Sequence, residues 1–317
     1  MRIGVDVMGG DHAPEAVLEG VESVFDSLAA HEMLVLFGPQ SVLSGPVSRW
    51  QHQNRPVAWI GADEVIGMGD SPTRSFQQKT DSSIRRGFDA LKNKEVDVFL
   101  SAGNTGAVLV GALYSIGAID GVSRPPITTM VPKEDGSFGV MLDVGANSDC
   151  KQDTLLQFGV LGSMYLRDVF GVENPKVALL SLGSEPEKGN RVTQAAYSLL
   201  QDDDRVNFVG NIEGYDLFND KADVVVCDGY TGNAVLKVAE TIFQMFRRRG
   251  YHDQYLEKFD YETYGGTPVL GVRRPVVIGH GVSSPAAFHK MILLARNVVE
   301  SRLTEKIQAA FQSTTTP

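Results

Sequence analysis

Two stretches of the chain repeat one arrangement of acidic, apolar and small polar residues. Asp97-Val-Phe-Leu-Ser-Ala-Gly-Asn-Thr-Gly-Ala107 aligns without a gap on Asp223-Val-Val-Val-Cys-Asp-Gly-Tyr-Thr-Gly-Asn233. Each begins Asp-Val, runs through a strand-like apolar segment, and closes on a Gly-x-Thr-Gly turn that feeds an apolar helix. Glycine admits tight turns closed to other residues, and the first amides of a helix have no acceptor inside it. Such a turn is suited to holding an anion, phosphate above all. Gly103, Asn104, Thr105 and Gly106 form the first candidate cradle, and Gly229, Thr231, Gly232 and Asn233 the second. The pair is expected to face one cleft; the alternative reading is two ordinary tight turns of an α/β fold. Asp6, Asp143 and Asp228 each end an apolar run, where a carboxylate could orient a lysine, take a proton from monoanionic phosphate, or cap a helix. The segment 69–92 brings Arg74, Lys79, Asp81, Ser82, Ser83 and Arg85 within a few turns of one another, with Arg86 and Lys92 assigned to a solvated face. Lys79 and Lys188 are the candidate positive charges, and His12 and His280 lie in glycine turns.

These residues need elements to position them. Strands are expected over 2–7, 33–37, 57–60, 96–100, 176–182, 206–209, 223–227 and 276–278. A hairpin pairs 127–131 with 138–142 across the polar turn 133–136. Helices are expected from Pro14, with Asp11 as its cap; over 69–92 as two pieces or one kinked piece; over 154–170; from Asn233 to the arginine run; and over 286–311. Strand, polar glycine turn and helix alternate throughout. The fold class is therefore α/β, a Rossmann-like three-layer sandwich with a mostly parallel sheet and helices on both faces. In such folds ligands bind beyond the carboxyl ends of the strands, where these turns converge. The chain reads as one large unit, 1–317, with a cleft between two lobes, a short inserted segment over 246–264, and a disordered tail at 313–317.

Composition narrows the function. At 317 residues and 43% hydrophobic content the chain can bury a substantial core. A net charge of −10 disfavours nucleic acid as a partner. The local exception is Arg247, Arg248 and Arg249, either a docking patch for an acidic partner or a solvated helix end. Cys150 and Cys227 have no metal-ligand spacing, the histidines are scattered, and no metal or cofactor is expected. Two unpaired cysteines with no signal-like or membrane-length apolar run point to the cytoplasm. Neither a dinucleotide fingerprint, a Walker lysine motif nor a Gly-x-Ser-x-Gly elbow is present.

The segments MGGDHAP, DSPTRSFQQKTDSS, SAGNTGA, DVGAN, EKGN, GNIEG, DGYTGN and YGG, in this order across nearly the whole chain, resemble the bacterial phosphate acyltransferases of the PlsX type. The resemblance implies a fold like isopropylmalate dehydrogenase and phosphotransacetylase. It implies a homodimeric, cytosolic, peripherally membrane-associated enzyme that converts acyl-[acyl carrier protein] and inorganic phosphate to acyl phosphate. A membrane glycerol-3-phosphate acyltransferase of phospholipid synthesis would then take up the product. Through the shared motifs it adds Ser101, Asn147 and Asn190 to the substrate-binding candidates. The chain departs from the pattern in a short segment before Tyr264 and in Pro285, where the family carries an aspartate.

Phosphate is itself the nucleophile in that reaction, so no acyl-enzyme is required. The protein must place it, neutralise its charge and stabilise an oxyanion. On this reading Asn104, Lys188, Asp143, Asp228 and His12 are catalytic, with His12 or His280 protonating the departing thiolate. Asp6, Lys79, Asp81, Ser82, Ser83 and the two glycine turns bind substrate. The alternatives are an acyl-CoA phosphotransacetylase, a metal- and NAD-dependent decarboxylating dehydrogenase of the same fold, and a catalytically silent phosphate or acyl-phosphate binding module.

Overall fold

Strand and helix alternate along most of residues 1–251 and 253–312, which the computed structural model describes. In chain order the strands are β1 (Arg2–Asp6), β2 (Met33–Gly38), β3 (Val57–Gly61), β4 (Val98–Ser101), β5 (Thr128–Pro132), β6 (Phe138–Leu142), β7 (Lys176–Leu180), β8 (Asn207–Ile212), β9 (Val224–Val226), β10 (Thr267–Pro268) and β11 (Val276–Ile278). The helices are α1 (Glu15–Val24), α2 (Gln40–His52), α3 (Pro72–Gln78), α4 (Ser83–Lys92), α5 (Thr105–Gly111), α6 (Gln152–Phe170), α7 (Arg191–Gln201), α8 (Gly229–Arg248), α9 (Pro285–Glu300) and α10 (Leu303–Gln312). The chain divides into two compact units, one of residues 1–118 and 261–300, the other of residues 119–260 and the chain from Ser301.

The sheet of the first unit has the order β10-β11-β4-β1-β2-β3, parallel except for β10. Its central strands are buried on both faces, which is why they read as continuous apolar runs rather than alternating ones. Phe37, Phe99, Phe88 and Phe76 form an edge-to-face chain with ring centroids 5.8, 5.1 and 5.9 Å apart, joining the sheet to α4 and α3. Parallel order places the carboxyl ends of β11, β4 and β1 side by side. The turns that leave them, 279–284, 102–104 and 7–14, therefore share one edge.

In the second unit the order is β5-β6-β9-β7-β8, with β5 antiparallel to β6 and the rest parallel. Helix α6 covers this sheet with a nearly continuous buried face, and a Cβ on Gly162 would fall 2.6 Å from Val224 Cγ1. The turns after β6, β9 and β7 again lie along one edge, at 143–147, 227–228 and 181–190.

The hairpin forms as expected. The segment 69–92 resolves into two helices, α3 and α4, because Lys79 leaves helical geometry with ψ of 73° and Ser82 caps a new start. Three sequence expectations are corrected. Asp11 does not cap α1; the position before the helix is Pro14, with no side-chain cap. The helix expected from Asn233 begins at Gly229, capped by Asp228, so the second glycine turn is its first turn. The single closing helix is two, broken where Arg302 takes φ of 54°. The stretch 246–264 ends α8 and continues in short 3-10 turns at Leu256–Phe259 and Tyr261–Thr263. The expected disordered tail, 313–317, lies outside the described residues.

Candidate active site

In the first unit Asp6 is fully buried at the end of β1. Its carboxylate accepts from Ser101 Oγ at 2.6 Å, from the Met8 amide at 3.0 Å and from Ser83. Ser101 Oγ in turn accepts from the Gly103 amide at 3.0 Å. Burial pushes the Asp6 carboxyl above its ordinary range, against the pull of those hydrogen bonds. Asp6, Ser101 and Ser83 thus brace the turn from beneath and present no exposed surface. A Cβ on Gly9 would lie 2.4 Å from Asp6 Oδ2, so only glycine lets the turn after β1 approach this carboxylate.

Asn104 is 6% exposed and caps α5, its Oδ1 accepting from the Ala107 amide at 3.0 Å. Its Nδ2 donates to the carbonyls of Gly67 at 3.1 Å, Met68 at 3.1 Å and Asp70 at 3.0 Å. Both ends of the side chain are occupied in fastening residues 67–70 to the turn. What the turn offers a ligand is the exposed Thr105 and the amides of Thr105 and Gly106, which begin α5. The Lys79 ammonium is held by Asp70 Oδ2 at 2.7 Å and the Val65 carbonyl at 2.6 Å, and it keeps the Asp70 carboxyl below its ordinary range. Ser82 is a buried cap for α4, and Asp81 pairs with Arg86 at 3.6 Å, which places Arg86 in an ion pair. His12 is exposed in an open groove of about 670 Å³ whose other lining includes Asp11, Glu15, Glu19 and Glu262, carboxylates that repel an anion. His280 follows β11, its Nδ1 accepting from the Val282 amide at 3.5 Å.

The second unit repeats the plan. Asp143 is fully buried and accepts from the amides of Ile127 at 3.0 Å, Ala146 at 3.2 Å and Asn147 at 2.6 Å, and from Asn147 Nδ2 at 2.9 Å. Burial again raises its carboxyl above the ordinary range. Asp228 caps α8 through the Thr231 amide at 2.8 Å and the Thr231 hydroxyl at 2.9 Å. Gly229 and Gly232 are needed for close approach: a Cβ would fall 2.5 Å from Asn147 O and 2.0 Å from Asp143 O. Asn233 is exposed beside the turn 143–147, its Oδ1 lying 3.6 Å from where a Cβ on Gly145 would stand. Asn190 caps α7, accepting from the amides of Val192 and Thr193 at 2.9 Å each. Lys188, two residues earlier, is exposed, and its ammonium has no ion-pair or hydrogen-bond partner among the described residues. It lies on the turn after β7, and β7 is the sheet neighbour of β9, which leads into α8.

Neither cysteine is poised as a nucleophile. Burial and the charges of Asp143 and Asp228 push the Cys150 thiol up to about 11, and Cys227 is buried and raised well above its ordinary value. Of the arginine run, Arg247 pairs with Asp260 at 3.0 Å and Arg248 Nε donates to the Gln244 carbonyl at 3.3 Å, which leaves Arg249 as the less engaged charge. Among the described residues, His31, Glu32 and Glu300 are close enough to hold a metal ion. His31 and Glu32 immediately precede β2, at the opposite edge of the sheet from the turns, and Glu300 ends α9, with Arg296 3.9 Å from Glu32. The residues 67–70, Pro125 and Cys150 were not singled out as site candidates. Asn104 reaches 67–70 and Asn147 reaches Pro125 across long sequence separations that no local spacing marks, whereas the Cys150 thiol donates to the Asn147 carbonyl only three residues away.

The fold, with its two mostly parallel sheets, is similar to that of phosphotransacetylases. A phosphotransacetylase from Streptococcus pyogenes matches with a TM-score of 0.63 and 18% identity, covering 94% of each chain. A branched-chain phosphotransacylase from Enterococcus faecalis V583 matches with a TM-score of 0.65 and 14% identity, covering 94% of this chain and 99% of the other. Sequence takes the assignment further. Residues 1–249 match the family model described as fatty acid synthesis protein. The chain is 39% identical to the phosphate acyltransferase of Halothermothrix orenii over 97% of this chain and 98% of the relative, and 40% identical to that of Salinibacter ruber over 98% of each. It belongs to the phosphate acyltransferase family, the PlsX family, whose members are acyltransferase enzymes.

Proposed function

We propose that the protein transfers an acyl group from acyl-[acyl carrier protein] to inorganic phosphate, releasing acyl phosphate for phospholipid synthesis. The observation that carries this reading is the Lys188 ammonium, without a partner among the described residues, on the turn after β7, the sheet neighbour of the strand that leads into α8. A cation, the positive end of a helix dipole and the exposed Asn233 side chain can together hold one phosphate. The dianion needs no deprotonation, and one of its oxygens attacks the thioester carbon. The tetrahedral oxyanion then collapses, the C–S bond breaks, and the carrier thiolate leaves and takes a proton. The Asn233 side chain supplies a donor to phosphate and oxyanion; the Thr231 amide and hydroxyl and the Gly232 amide already donate to Asp228, so Thr231 and Gly232 shape the turn, with Asp143, Asp228 and Asn147, and Asn190 holds the turn that carries Lys188. Thr105 and Gly106 form a second anion cradle, which Asp6, Ser101 and Asn104 position. His12 and His280 are the candidates for protonating the thiolate. The high thiol values of Cys150 and Cys227 support direct attack by phosphate over an acyl-cysteine intermediate.

Lys188→Ala tests the assignment. A preorganised charge of this kind is worth roughly 3 kcal/mol of barrier, so turnover should fall on the order of a hundredfold. Lys188 is exposed and unpaired, so unfolding in urea should be unchanged. Normal turnover in this variant removes Lys188 from the site. The phosphotransacetylase fold favours acyl-CoA as the second reading of the carrier, and assaying acyl-CoA against acyl-[acyl carrier protein] with free phosphate separates the two.

A further inference from the structure

The connection that enters β5 is built more tightly than a surface loop requires. Proline fixes φ at Pro125 and Pro126, and a residue before a proline is held to extended backbone, so Arg124 has little conformational freedom. Its neighbours are fastened on both sides. The Ser123 amide and hydroxyl each donate to Gln157 Oε1 on α6 at 2.9 Å. The Pro125 carbonyl accepts from Asn147 Nδ2 at 3.2 Å, and the Ile127 amide donates to the buried Asp143 carboxylate at 3.0 Å. Because β5 runs antiparallel to β6, Thr128 pairs with Leu142, and the residues that precede β5 arrive at the edge where β6 and β9 end.

Arg124 itself is exposed. Its Nη1 donates to the Asp149 carbonyl at 3.1 Å, and among the described residues no carboxylate forms an ion pair with it. The Asp149 carboxylate accepts instead from the Ser148 hydroxyl at 3.2 Å. The positive charge still reaches the first turn of α8. The Asn147 carbonyl accepts from the Gly229 amide at 2.7 Å and from the Cys150 thiol at 3.9 Å, so that thiol lies against the start of α8. Burial, Asp143 and Asp228 raise the Cys150 thiol, and Arg124 pulls against them.

The sheet order β5-β6-β9-β7-β8 gives the start of α8 two flanks. Lys188 stands on the turn after β7, and Arg124 is tied to the turn after β6. A dianion bound there needs both. Asp228 brings a negative charge to the helix start, and Glu185 and Glu187 share the turn of Lys188, so one ammonium leaves no excess of positive charge.

We propose that Arg124 is a second phosphate-binding cation of this unit, gripping inorganic phosphate from the β6 side with the N–H groups that the Asp149 carbonyl leaves free, while Lys188 meets it from the β7 side. The inference rests on the reading of this turn as the phosphate site and adds a residue to it. A guanidinium suits the task because its planar fork takes two phosphate oxygens at once, which an ammonium does not.

The test titrates inorganic phosphate into the full-length protein by calorimetry, and measures turnover with phosphate and the acyl thioester varied in turn. Arg124→Ala should weaken phosphate binding and raise the KM for phosphate tenfold or more, with the KM for the thioester unchanged. Arg124→Lys keeps the charge without the fork and should recover part of the loss. Phosphate affinity and KM unchanged in an Arg124→Ala protein that stays folded by circular dichroism would overturn the inference. So would a lower urea midpoint as the sole change, since the side chain would then serve only to tie down Asp149. A raised KM for the acyl thioester with that for phosphate unchanged would overturn it too, because the guanidinium would then hold the carrier. Should Lys188→Ala keep normal turnover while Arg124→Ala loses phosphate binding, the Lys188 assignment falls and Arg124 stands. Should the wild type bind phosphate and turn over no acyl thioester, the acyl-transfer reading falls, and lost phosphate binding in Arg124→Ala still supports the inference.

Discussion

Asn104 shows how residue type and residue role part company. Its position in a Gly-Asn-Thr-Gly turn suggests a donor for substrate, but the folded chain spends its oxygen on the α5 cap and its amide on three carbonyls. Asn104→Ala should therefore lose about 2–3 kcal/mol of stability in urea unfolding, from the cap and from buried carbonyls left without a donor. Its effect on turnover should follow from the displaced turn. The thiols give a second expectation. With Cys150 raised to about 11 and Cys227 buried, iodoacetamide near neutral pH should leave activity intact, and rapid inactivation with stoichiometric alkylation would contradict the direct-attack mechanism. Asp6 gives a third. Its folded value lies above the ordinary 3.8, so the native state favours the protonated carboxyl. The associated stability is complete below the unfolded value and is lost as pH rises through the folded one. Asp6→Asn keeps an acceptor for the Met8 amide and removes the buried charge. Its unfolding free energy should fall less between about pH 4 and pH 8 than that of the wild type, which carries the Asp6 contribution as well as that of Asp143.

At the scale of elements, the first turn of α8 is fixed by what its glycines lack. Gly232→Ala places a methyl 2.0 Å from Asp143 O, against backbone that is held by the buried carboxylate network. Overpacking of this sort costs about 1–3 kcal/mol and tilts the amides away from their target, so thermal unfolding and turnover should both suffer. At the other end of α8, Arg247 is engaged with Asp260, which leaves Arg248 and Arg249 as the test of docking. If the run docks acyl carrier protein, Arg248→Glu with Arg249→Glu should raise the KM for the acyl carrier and leave kcat unchanged, with the difference shrinking as salt is added. The break between α9 and α10 has no breaker residue: Ser301 and Arg302 interrupt an apolar spacing that continues through 286–311. Arg302 takes a left-handed conformation there, at the boundary where the chain passes from one unit to the other, so periodicity alone carried the expected helix straight through.

For the molecule as a whole, the fold predicts which ligand stabilises it. Phosphate at about a hundred times its dissociation constant should add roughly 2.7 kcal/mol to the native state, a shift visible in thermal unfolding and reduced in Lys188→Ala. NAD should give no shift, which would set this chain apart from a dinucleotide-dependent enzyme of related architecture. Much of this was readable from the amino acids: the alternation of buried strands and glycine turns, the hairpin at 128–142, the paired Gly-x-Thr-Gly turns, and the family. Each is written in local order, since a parallel strand, a tight turn or a helix cap depends on residues a few positions apart. Which charges stay free was not readable. Lys79 and Lys188 look alike along the chain, but the fold delivers Asp70 and a carbonyl to the first and, among the described residues, no partner to the second. Asp6 and Asp143 likewise became buried braces because strand pairing brought donors from distant turns around them. Local sequence sets what a segment can become; the company a side chain keeps across long loops is settled only when the sheets close.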